Sequence, residues 1–520
     1  EQEPTEELVE EFLTRVAHAG KLQVEGGASI NGQFLASQPG AGDGAFAAGS
    51  QAGLTNQGIQ SVAIGVQAGK TDQSSQSVAI GVSAATSTQG AGGVAVGASA
   101  GRTNQATNAT AIGASAGREN QGANSVALGR EAGNETQGAS SVAVGNSAGK
   151  TNQGDLSAAV GINAGNSNQG AGAIALGSSA GRTDQGDNAT ALGVNAGYGS
   201  QVANAIAVGR SAGQVTQSDN ATAVGAYAGN DTQGGKSTAL GYAAGQTKQG
   251  INATAVGNSA GNDTQGDSAV AVGNSAGQTS QGGNATAVGK DAGKTNQGDN
   301  ATAIGNSAGM TSQGVSSVAV GNSAGQTSQG ANTVAVGKAA GYEQQQYGAV
   351  AIGDIAGQTN QGTESVSIGR ATGQTNQGAN SIAIGNRAGQ TDQGANGIII
   401  SSAGAAWSTS TPEHIILRSK GDKYLYYNGV DTWRFAGGAV NGVRFNQDGA
   451  PVIDAKGLIS TLSTLRNATK DETTLEGLRD ALSDAIGGLI EKFEHEIATM
   501  PAPAPEPEIE TMPAPGEETE

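Results

Sequence analysis

The chain has 520 residues, 87 of them glycine, with only 3% aromatic and 13% charged residues and a formal net charge of −18 at pH 7. Such a composition cannot fill a thick core with large side chains, so it argues against an ordinary globular enzyme. The absence of cysteine excludes disulfides, thiolate metal sites and thiol nucleophiles. The negative charge argues against nucleic acid as a partner, because phosphate binding needs clustered Lys and Arg.

The first segment, 1–22, is acidic and predicts a short capping or attachment helix, with Leu8, Phe12 and Val16 on one face and Gly20 as its end. A connector follows at 23–44. The acidic start differs from the basic, apolar start of an export signal, and no apolar run reaches the about eighteen residues of a membrane helix. We therefore expect no export signal and no membrane insertion.

The segment 45–400 repeats every sixteen residues without an insertion or deletion. The glycine of "AIG" marks each copy and recurs from Gly49 to Gly385, which gives 22 copies. A second glycine follows four residues later, except at Ala85, and a glutamine follows eight residues later. Strict register predicts that each copy is one coil of a parallel β-solenoid, about 4.8 Å above the coil before it.

Each copy predicts a short strand before its anchor glycine, because Val, Ile and Thr alternate there with alanine. Neighbouring side chains of a strand point to opposite faces, so the aliphatic residues face one way and the alanine the other. One apolar face can fill the coil while the other meets a second chain. An exposed apolar stripe is a liability in solution, so we expect a homotrimer, although a dimer would also cover the stripe.

The glutamine column has two interpretations. It could be a ligand-binding stripe, or it could be a structural ladder in which each side-chain amide bonds to the one a coil above. We favour the ladder, because ligand sites rarely need 22 identical copies. The ladder residues singled out are Gln57, Gln73, Gln217, Gln233, Gln249 and Gln393.

The stretches "NSVALG", "SSVAVGNSAG" and "NSIAIGNRAG" resemble the head repeats of trimeric autotransporter adhesins, and similar repeats occur in phage tail and head fibres. The resemblance covers about two thirds of the chain. It implies a left-handed parallel β-roll of three chains around a common axis. The uniform sixteen-residue spacing and the glutamine column depart from the adhesin pattern.

Aromatic residues appear in the segment 401–456, where "HIILRSKGDKYLYYNGVDTWRF" predicts two strands around an Asn428-Gly429 turn. These rings could form the core of a small trimeric knob, or they could contact a receptor such as a surface glycan. The candidate receptor contacts are Trp407, Tyr424, Tyr426, Tyr427, Trp433 and Arg434. Leucines at helical spacing predict helices over 457–498, and a Pro- and Glu-rich tail follows at 499–520.

No catalytic residue, cofactor site or metal site is predicted, since the three histidines, His18, His414 and His495, fall in three different segments. The favoured function is a virion fibre or appendage of phage type. It would be a rigid trimeric rod that holds a terminal region for host attachment or for docking on other virion proteins. A bacterial surface adhesin of the autotransporter type is the alternative, although that class ends in a membrane anchor. An ice-binding solenoid fits less well, because the regular Thr column is interrupted at Gly199, Val215 and Asp231.

Overall fold

The computed structural model describes residues 28–30, 33–35, 41–404, 406, 408–420, 423–427 and 433–436. The chain divides into two units, Glu1–Ser316 and Ser317–Glu520. Both contain a parallel β-solenoid with sixteen-residue spacing, about 23 turns in all. The predicted helices at 1–22 and 457–498 and the tail at 499–520 lie outside the described residues. Within those residues no helix is long and apolar enough to cross a membrane.

Each coil consists of two strands and two turns, as the coil of Gly65 illustrates. The Ala strand, Val62–Ile64, has alanine at its centre and is followed by the first turn, residues 66–70. The Gln strand, Thr71–Gln73, ends in glutamine and is followed by the second turn, residues 74–76. Consecutive Ala strands pair in parallel with a shift of sixteen residues, for example Ala63 with Ala79. They form the Ala sheet, and the Gln strands form the Gln sheet in the same way.

In the first unit the Ala strands are Phe46–Ala48, Val62–Ile64, Val78–Ile80, Val94–Val96, Thr110–Ile112, Val126–Leu128, Val142–Val144, Ala158–Val160, Ile174–Leu176, Thr190–Leu192, Ile206–Val208, Thr222–Val224, Thr238–Leu240, Thr254–Val256, Val270–Val272, Thr286–Val288 and Thr302–Ile304. The Gln strands are Thr55–Gln57, Thr71–Gln73, Ser87–Gln89, Thr103–Gln105, Glu119–Gln121, Glu135–Gln137, Thr151–Gln153, Ser167–Gln169, Thr183–Gln185, Ser200–Gln201, Thr216–Gln217, Thr232–Gln233, Lys248–Gln249, Thr264–Gln265, Thr279–Gln281, Thr295–Gln297 and Thr311–Gln313. Before them, Ala28–Ile30 and Gln33–Leu35 form an antiparallel pair within the predicted connector.

The interior of each coil is filled by small side chains and one glutamine. In the coil of Gly65 the inward residues are Ser61, Ala63, Ala68 and Gln73, each at most 1% exposed. The serine hydroxyl is satisfied locally, because Ser61 Oγ donates to the carbonyl of Gly58 at 2.7 Å. Alanine is therefore sufficient as a core residue, because the two sheets lie one small side chain apart.

The anchor glycine is required by the close approach of successive coils. In the first unit its φ lies between +125° and +134°, a region that L side chains rarely adopt. A Cβ on Gly145 would lie 2.5 Å from the carbonyl oxygen of Gly161, the anchor of the next coil. Both the backbone angle and the lack of space thus select glycine here.

The second glycine of each coil makes room for the glutamine. Gly149 has a φ of +51°, and a Cβ there would lie 2.5 Å from Gln153 Oε1. The obstacle is the end of a flexible side chain rather than backbone, so a methyl group can be accommodated by a small movement. Ala85, the one exception in this column, has a φ of +45° and is fully buried.

Five consecutive Gln strands, from Ser200–Gln201 to Thr264–Gln265, contain two residues instead of three. Elsewhere the residue before the glutamine has a positive φ, as at Asn56 (+55°), whereas in these five coils it does not. Asn and Asp tolerate that conformation well, and these five positions hold neither. Thr88 and Thr136 nevertheless keep a positive φ, so the residue type alone does not decide the conformation.

In the second unit the Ala strands are Val318–Val320, Val334–Val336, Val350–Ile352, Val366–Ile368, Ile382–Ile384 and Ile398–Ser401. The Gln strands are Thr327–Gln329, Glu343–Gln345, Thr359–Gln361 and Thr375–Gln377. The first outer residue is buried in four of these six Ala strands, with Val334, Val350, Val366 and Ile382 only 4–8% exposed.

The sixteen-residue period ends after Ile398–Ser401. This strand pairs in parallel with Ile415–Ser419 at a shift of seventeen residues. Ile415–Ser419 then pairs antiparallel with Lys423–Tyr427, which pairs antiparallel with Trp433–Ala436. The segment predicted as two strands therefore contains three, and the predicted turn at Asn428-Gly429 lies outside the described residues.

We expect Gly145→Ala to destabilise the protein far more than Gly149→Ala. The first change combines a strained backbone with a clash against the neighbouring coil, so it should cost about 3 kcal/mol or more. The second meets only the end of a glutamine and should cost about 1–2 kcal/mol. Thermal unfolding followed by circular dichroism measures both, and Ala85→Gly is the matched reverse change. Equal losses for the two variants would contradict this explanation of the glycine columns.

Candidate functional site

The glutamine column forms a cross-brace inside every coil. All 22 glutamines from Gln57 to Gln393 donate from Nε2 to the backbone carbonyl eleven residues earlier, at 2.7–3.0 Å. That carbonyl belongs to the first residue of the Ala strand in the same coil. For example, Gln73 donates to Val62 and Gln217 to Ile206. Each amide therefore ties the Gln sheet to the Ala sheet across the interior.

Many glutamines also bond to the glutamine of the next coil. Gln73 donates to Gln89 at 3.1 Å, Gln217 to Gln233 at 3.0 Å, and Gln249 to Gln265 at 3.1 Å. Gln393 accepts from Gln377 at 3.2 Å. The buried Oε1 atoms of Gln57, Gln73, Gln137, Gln153, Gln169, Gln249, Gln281 and Gln329 have no hydrogen-bond partner. The ladder expected from the sequence is thus present in stretches, whereas the bond across the coil is present throughout.

These side chains are unsuited to ligand binding, because each glutamine of the column is at most 3% exposed. Their amide protons are already used inside the coil. No sequence signal identifies the cross-brace, because in a strict sixteen-residue repeat every backbone carbonyl lies at a constant spacing from the glutamine.

A second polar ladder runs along the outside of the Gln sheet. Asn152 donates to Asn168 at 3.0 Å, and Asn168 donates to Asp184 at 2.9 Å. Asn104 donates to Asn120 in the same way. These exposed bonds compete with water, so we expect them to contribute less than the buried ones.

The aromatic candidates lie on the antiparallel strands of the second unit. Tyr424, Tyr426 and Tyr427 are half-buried, and Tyr426 packs against the buried cluster that includes Ile399 and Ile416. The strand pairing places Tyr427 opposite Trp433 and Tyr426 opposite Arg434. Trp407 lies outside the described residues. The packing of Tyr426 matches the interpretation of the cluster as a core, and the receptor role of all six residues stays a prediction.

The one described histidine, His414, is buried at the end of the second unit. His414 lies in the next turn of the chain, at the inward position that corresponds to Gly397. A Cβ on Gly397 would collide with the imidazole ring. Burial lowers the pKa of His414, with a smaller opposing effect from its hydrogen bond to the carbonyl of Thr411. The ring is therefore neutral at pH 7 and serves as packing. His18 and His495 lie outside the described residues.

The outer face of the Ala sheet in the first unit carries an uncharged and largely aliphatic stripe, the aliphatic stripe, in which seven of the seventeen strands begin with threonine. The stripe consists of the first and third residues of the seventeen Ala strands, from Phe46 to Ile304, none of which is charged. Side chains such as Ile64, Leu128, Ile174 and Leu240 are 38–46% exposed in the single chain. The inward alanines of the same strands are buried, so only one of the two apolar faces is covered within the chain.

No group of three or more His, Cys, Asp or Glu side chains that could hold a metal ion occurs among the residues that the structure describes. A shallow depression does lie on the first unit, lined by residues that include Asn152, Asn168, Asp184 and Asp187. Its walls are the exposed polar ladder and the second turn, which recur along the solenoid.

Comparisons with protein-family models, with curated proteins and with solved structures found no match to this chain.

We expect the triple substitution of Gln201, Gln217 and Gln233 by alanine to lower stability strongly. Each change removes a buried hydrogen bond between the two sheets and leaves a cavity where the glutamine side chain lay, at about 1–3 kcal/mol per site. The change is measured by thermal unfolding with circular dichroism.

The matched control replaces Asn104, Asn152 and Asn168 by serine, which the chain itself carries in that column at Ser280 and Ser312. The control removes three exposed amide bonds and should cost no more than about 0.5 kcal/mol per site. If both triple variants melt alike, the glutamines do not brace the coil.

Proposed function

We propose that the chain is a structural fibre protein of a virion, of phage type, in which three copies form a rigid spacer for a terminal attachment region. The observation that carries this proposal is the uncharged aliphatic stripe along seventeen Ala strands of the first unit. Contiguous apolar surface of this extent marks an interaction site in soluble proteins.

The stripe fits another copy of the same chain better than an unrelated partner. Its side chains recur every coil, about 4.8 Å apart, and a second copy presents the same period. Two outer side chains from each strand, with about 25 Å² buried per side chain, would reach the about 800 Å² per partner of a standard interface. Three copies around a common axis cover every stripe.

The interior supports a mechanical role. Each coil contains small inward residues and the same glutamine brace, and all but the coil with Ala85 contain the same two glycines. The backbone hydrogen bonds run from coil to coil without an insertion between Gly49 and Gly385. A stack of coils held by the same bracing bond suits a spacer, because each coil is stabilised by the same kind of interactions as its neighbours. Inward positions vary only among small residues, whereas outward positions vary widely.

We expect sedimentation equilibrium of the full chain to give three times the chain mass of 50.6 kDa. The aliphatic stripe supplies the driving force, so association should persist at high salt. A monomer at micromolar concentration would contradict the proposal, and a dimer would replace the threefold arrangement by a twofold one.

Recognition, if it lies beyond the repeats, should be lost when the chain is cut after Ile400. The segment from Trp407 to Phe445 holds seven of the sixteen aromatic residues of the chain, and aromatic side chains commonly anchor interfaces. We expect the truncated chain to keep its circular dichroism spectrum and its oligomeric mass but to lose binding to host cells or to virion proteins. Undiminished binding would place recognition on the repeats.

The location of the protein decides between a virion fibre and a bacterial surface adhesin. Gold-labelled antibody against the repeats should decorate purified virus particles in electron micrographs. Decoration of bacterial cells that carry no virus would overturn the fibre assignment in favour of the adhesin.

A further inference from the structure

Charges in the first unit are sorted between the two turns of the coil. Over residues 49–316 the first turn carries nine Lys and Arg and only two acidic residues, whereas the second turn carries five Asp and one Lys. The five aspartates occupy the same position of the second turn, ten residues after the anchor glycine: Asp155, Asp187, Asp219, Asp267 and Asp299. A protein with a net charge of −18 thus has one basic turn in its repeat.

The two turns border the aliphatic stripe on opposite sides. The second turn precedes each Ala strand and the first turn follows it, so the two turns lie at the two ends of the strand. The outer face of the Ala sheet is therefore apolar in the middle, acidic along one border and basic along the other.

This arrangement discriminates between the two ways in which a second copy can cover the stripe. Copies related by rotation about an axis parallel to the stacking direction bring the basic border of one against the acidic border of the next. Copies that run antiparallel bring basic against basic and acidic against acidic. Opposite charges attract and like charges oppose association, so the borders favour parallel copies.

The positions of the charges also distinguish the unshifted register from a shift by one coil, while larger shifts would leave several coils of the aliphatic stripe uncovered at the ends. Four of the five second-turn aspartates lie in a coil whose first turn carries a base. The four same-coil pairs are Lys150 with Asp155, Arg182 with Asp187, Arg210 with Asp219, and Lys294 with Asp299. In copies without an axial shift, the members of each pair from adjacent chains lie at the same level.

A shift by one coil removes this match. In one direction none of the five aspartates faces a base. In the other only Asp155 does, opposite Arg130, whose guanidinium lies 3.8 Å from its neighbour Glu131. The shift that places Asp155 opposite Arg130 also places Lys236 opposite Arg210. Lys236 is the one basic residue of the second turn over residues 49–316. In the unshifted arrangement Lys236 meets a first turn without charge.

The bases are held in place within their own chain and remain charged. Lys150 lies 2.9 Å from Glu131 and lowers the pKa of that carboxyl by its hydrogen bond, and Lys294 lies 3.0 Å from Asp291. Arg130 is next to Glu131 in the sequence, and Lys290 is next to Asp291. Each acid therefore has two bases beside it, and each group of three side chains carries a net positive charge. The other two bases, Arg182 and Arg210, lie over tyrosine rings at 5.1 and 4.7 Å. The four paired aspartates are exposed.

We infer that copies of this chain associate side by side, parallel and without an axial shift, with the basic first turn of one copy against the acidic second turn of the next. The inference rests on the proposed homo-oligomer and adds its direction, its register and the residues that select them. The aliphatic stripe supplies the affinity, and the four pairs select the orientation.

The test reverses one border and then the other. Replacing Asp155, Asp187, Asp219 and Asp299 by lysine turns each opposite-charge pair into a like-charge pair. We expect at least a tenfold rise in the dissociation constant, measured by sedimentation at about 0.1 M salt, where charges within about 10 Å still interact. Adding Lys150→Glu, Arg182→Glu, Arg210→Glu and Lys294→Glu should restore association.

The aspartates also make hydrogen bonds within their own chain, so the acid-reversed variant alone could lose association for that reason. Restored association in the doubly reversed variant shows that the loss came from the charges between copies. Asp155 accepts a hydrogen bond from the backbone N–H of Ala139, and Asp187 one from that of Ala171. The matched control replaces Glu119, Glu135, Asp231 and Asp263, which lie at the start of a Gln strand or directly before one, by lysine and should associate like the unchanged chain. An acid-reversed variant that associates normally, or a doubly reversed variant that does not recover, overturns the inference while leaving the oligomer intact. A monomeric unchanged chain overturns the oligomer itself.

A second measurement reads direction and register without altering a border. The chain has no cysteine, so Thr103→Cys and Thr295→Cys each provide one site for a nitroxide label. The two sites are twelve coils apart, about 58 Å at the strand spacing. Parallel, unshifted copies give the same short distance between labels at both sites. Antiparallel copies give either two different distances or two long ones. Parallel copies shifted by several coils lengthen both distances equally, because the axial offset of about 4.8 Å per coil is perpendicular to the lateral separation and adds to it in quadrature.

Discussion

The hydrogen bond from each glutamine to the carbonyl of the facing Ala strand is the interaction on which the coil depends. The interior is too thin for large apolar side chains, so burial of alanine alone gives little stabilisation per coil. The glutamine amide spans this gap and donates to a backbone carbonyl of the facing Ala strand. Leaving the buried amide itself without a partner would be costly, and the bond to that carbonyl therefore recurs in every coil.

The rest of the coil is arranged around that bond. The second glycine lies beside the glutamine amide, where a side chain would press on it, and the alanines leave its path clear. The anchor glycine lets successive coils approach to the spacing of paired strands, which brings neighbouring glutamines within hydrogen-bonding distance of each other. A residue inserted inside a coil would displace the glutamine from its carbonyl, which gives a physical reason for the absence of gaps between Gly49 and Gly385.

The period made the fold readable from the sequence, because a strict sixteen-residue repeat with alternating Val, Ala and Ile leaves few structures other than stacked coils. It did not reveal that Gln217 bonds to the carbonyl of Ile206 as well as to Gln233, since only the three-dimensional path of the coil brings that carbonyl within reach. The shortened Gln strand at Thr216 and the seventeen-residue step from Ile398 to Ile415 were also missed. Both depend on local backbone angles that a repeat pattern does not encode.

The stripe and its borders follow from the same constraint. Because the inward positions are fixed by the brace, only outward positions are free to carry function, and there the first unit places aliphatic residues between a basic and an acidic turn. The most direct measurement is an electron cryo-microscopy reconstruction of the purified full chain at a resolution that separates strands. We predict copies around a common axis, with the Ala sheets facing that axis, parallel chains and adjacent copies at the same level. A reconstruction in which the Ala sheet faces solvent would contradict the account.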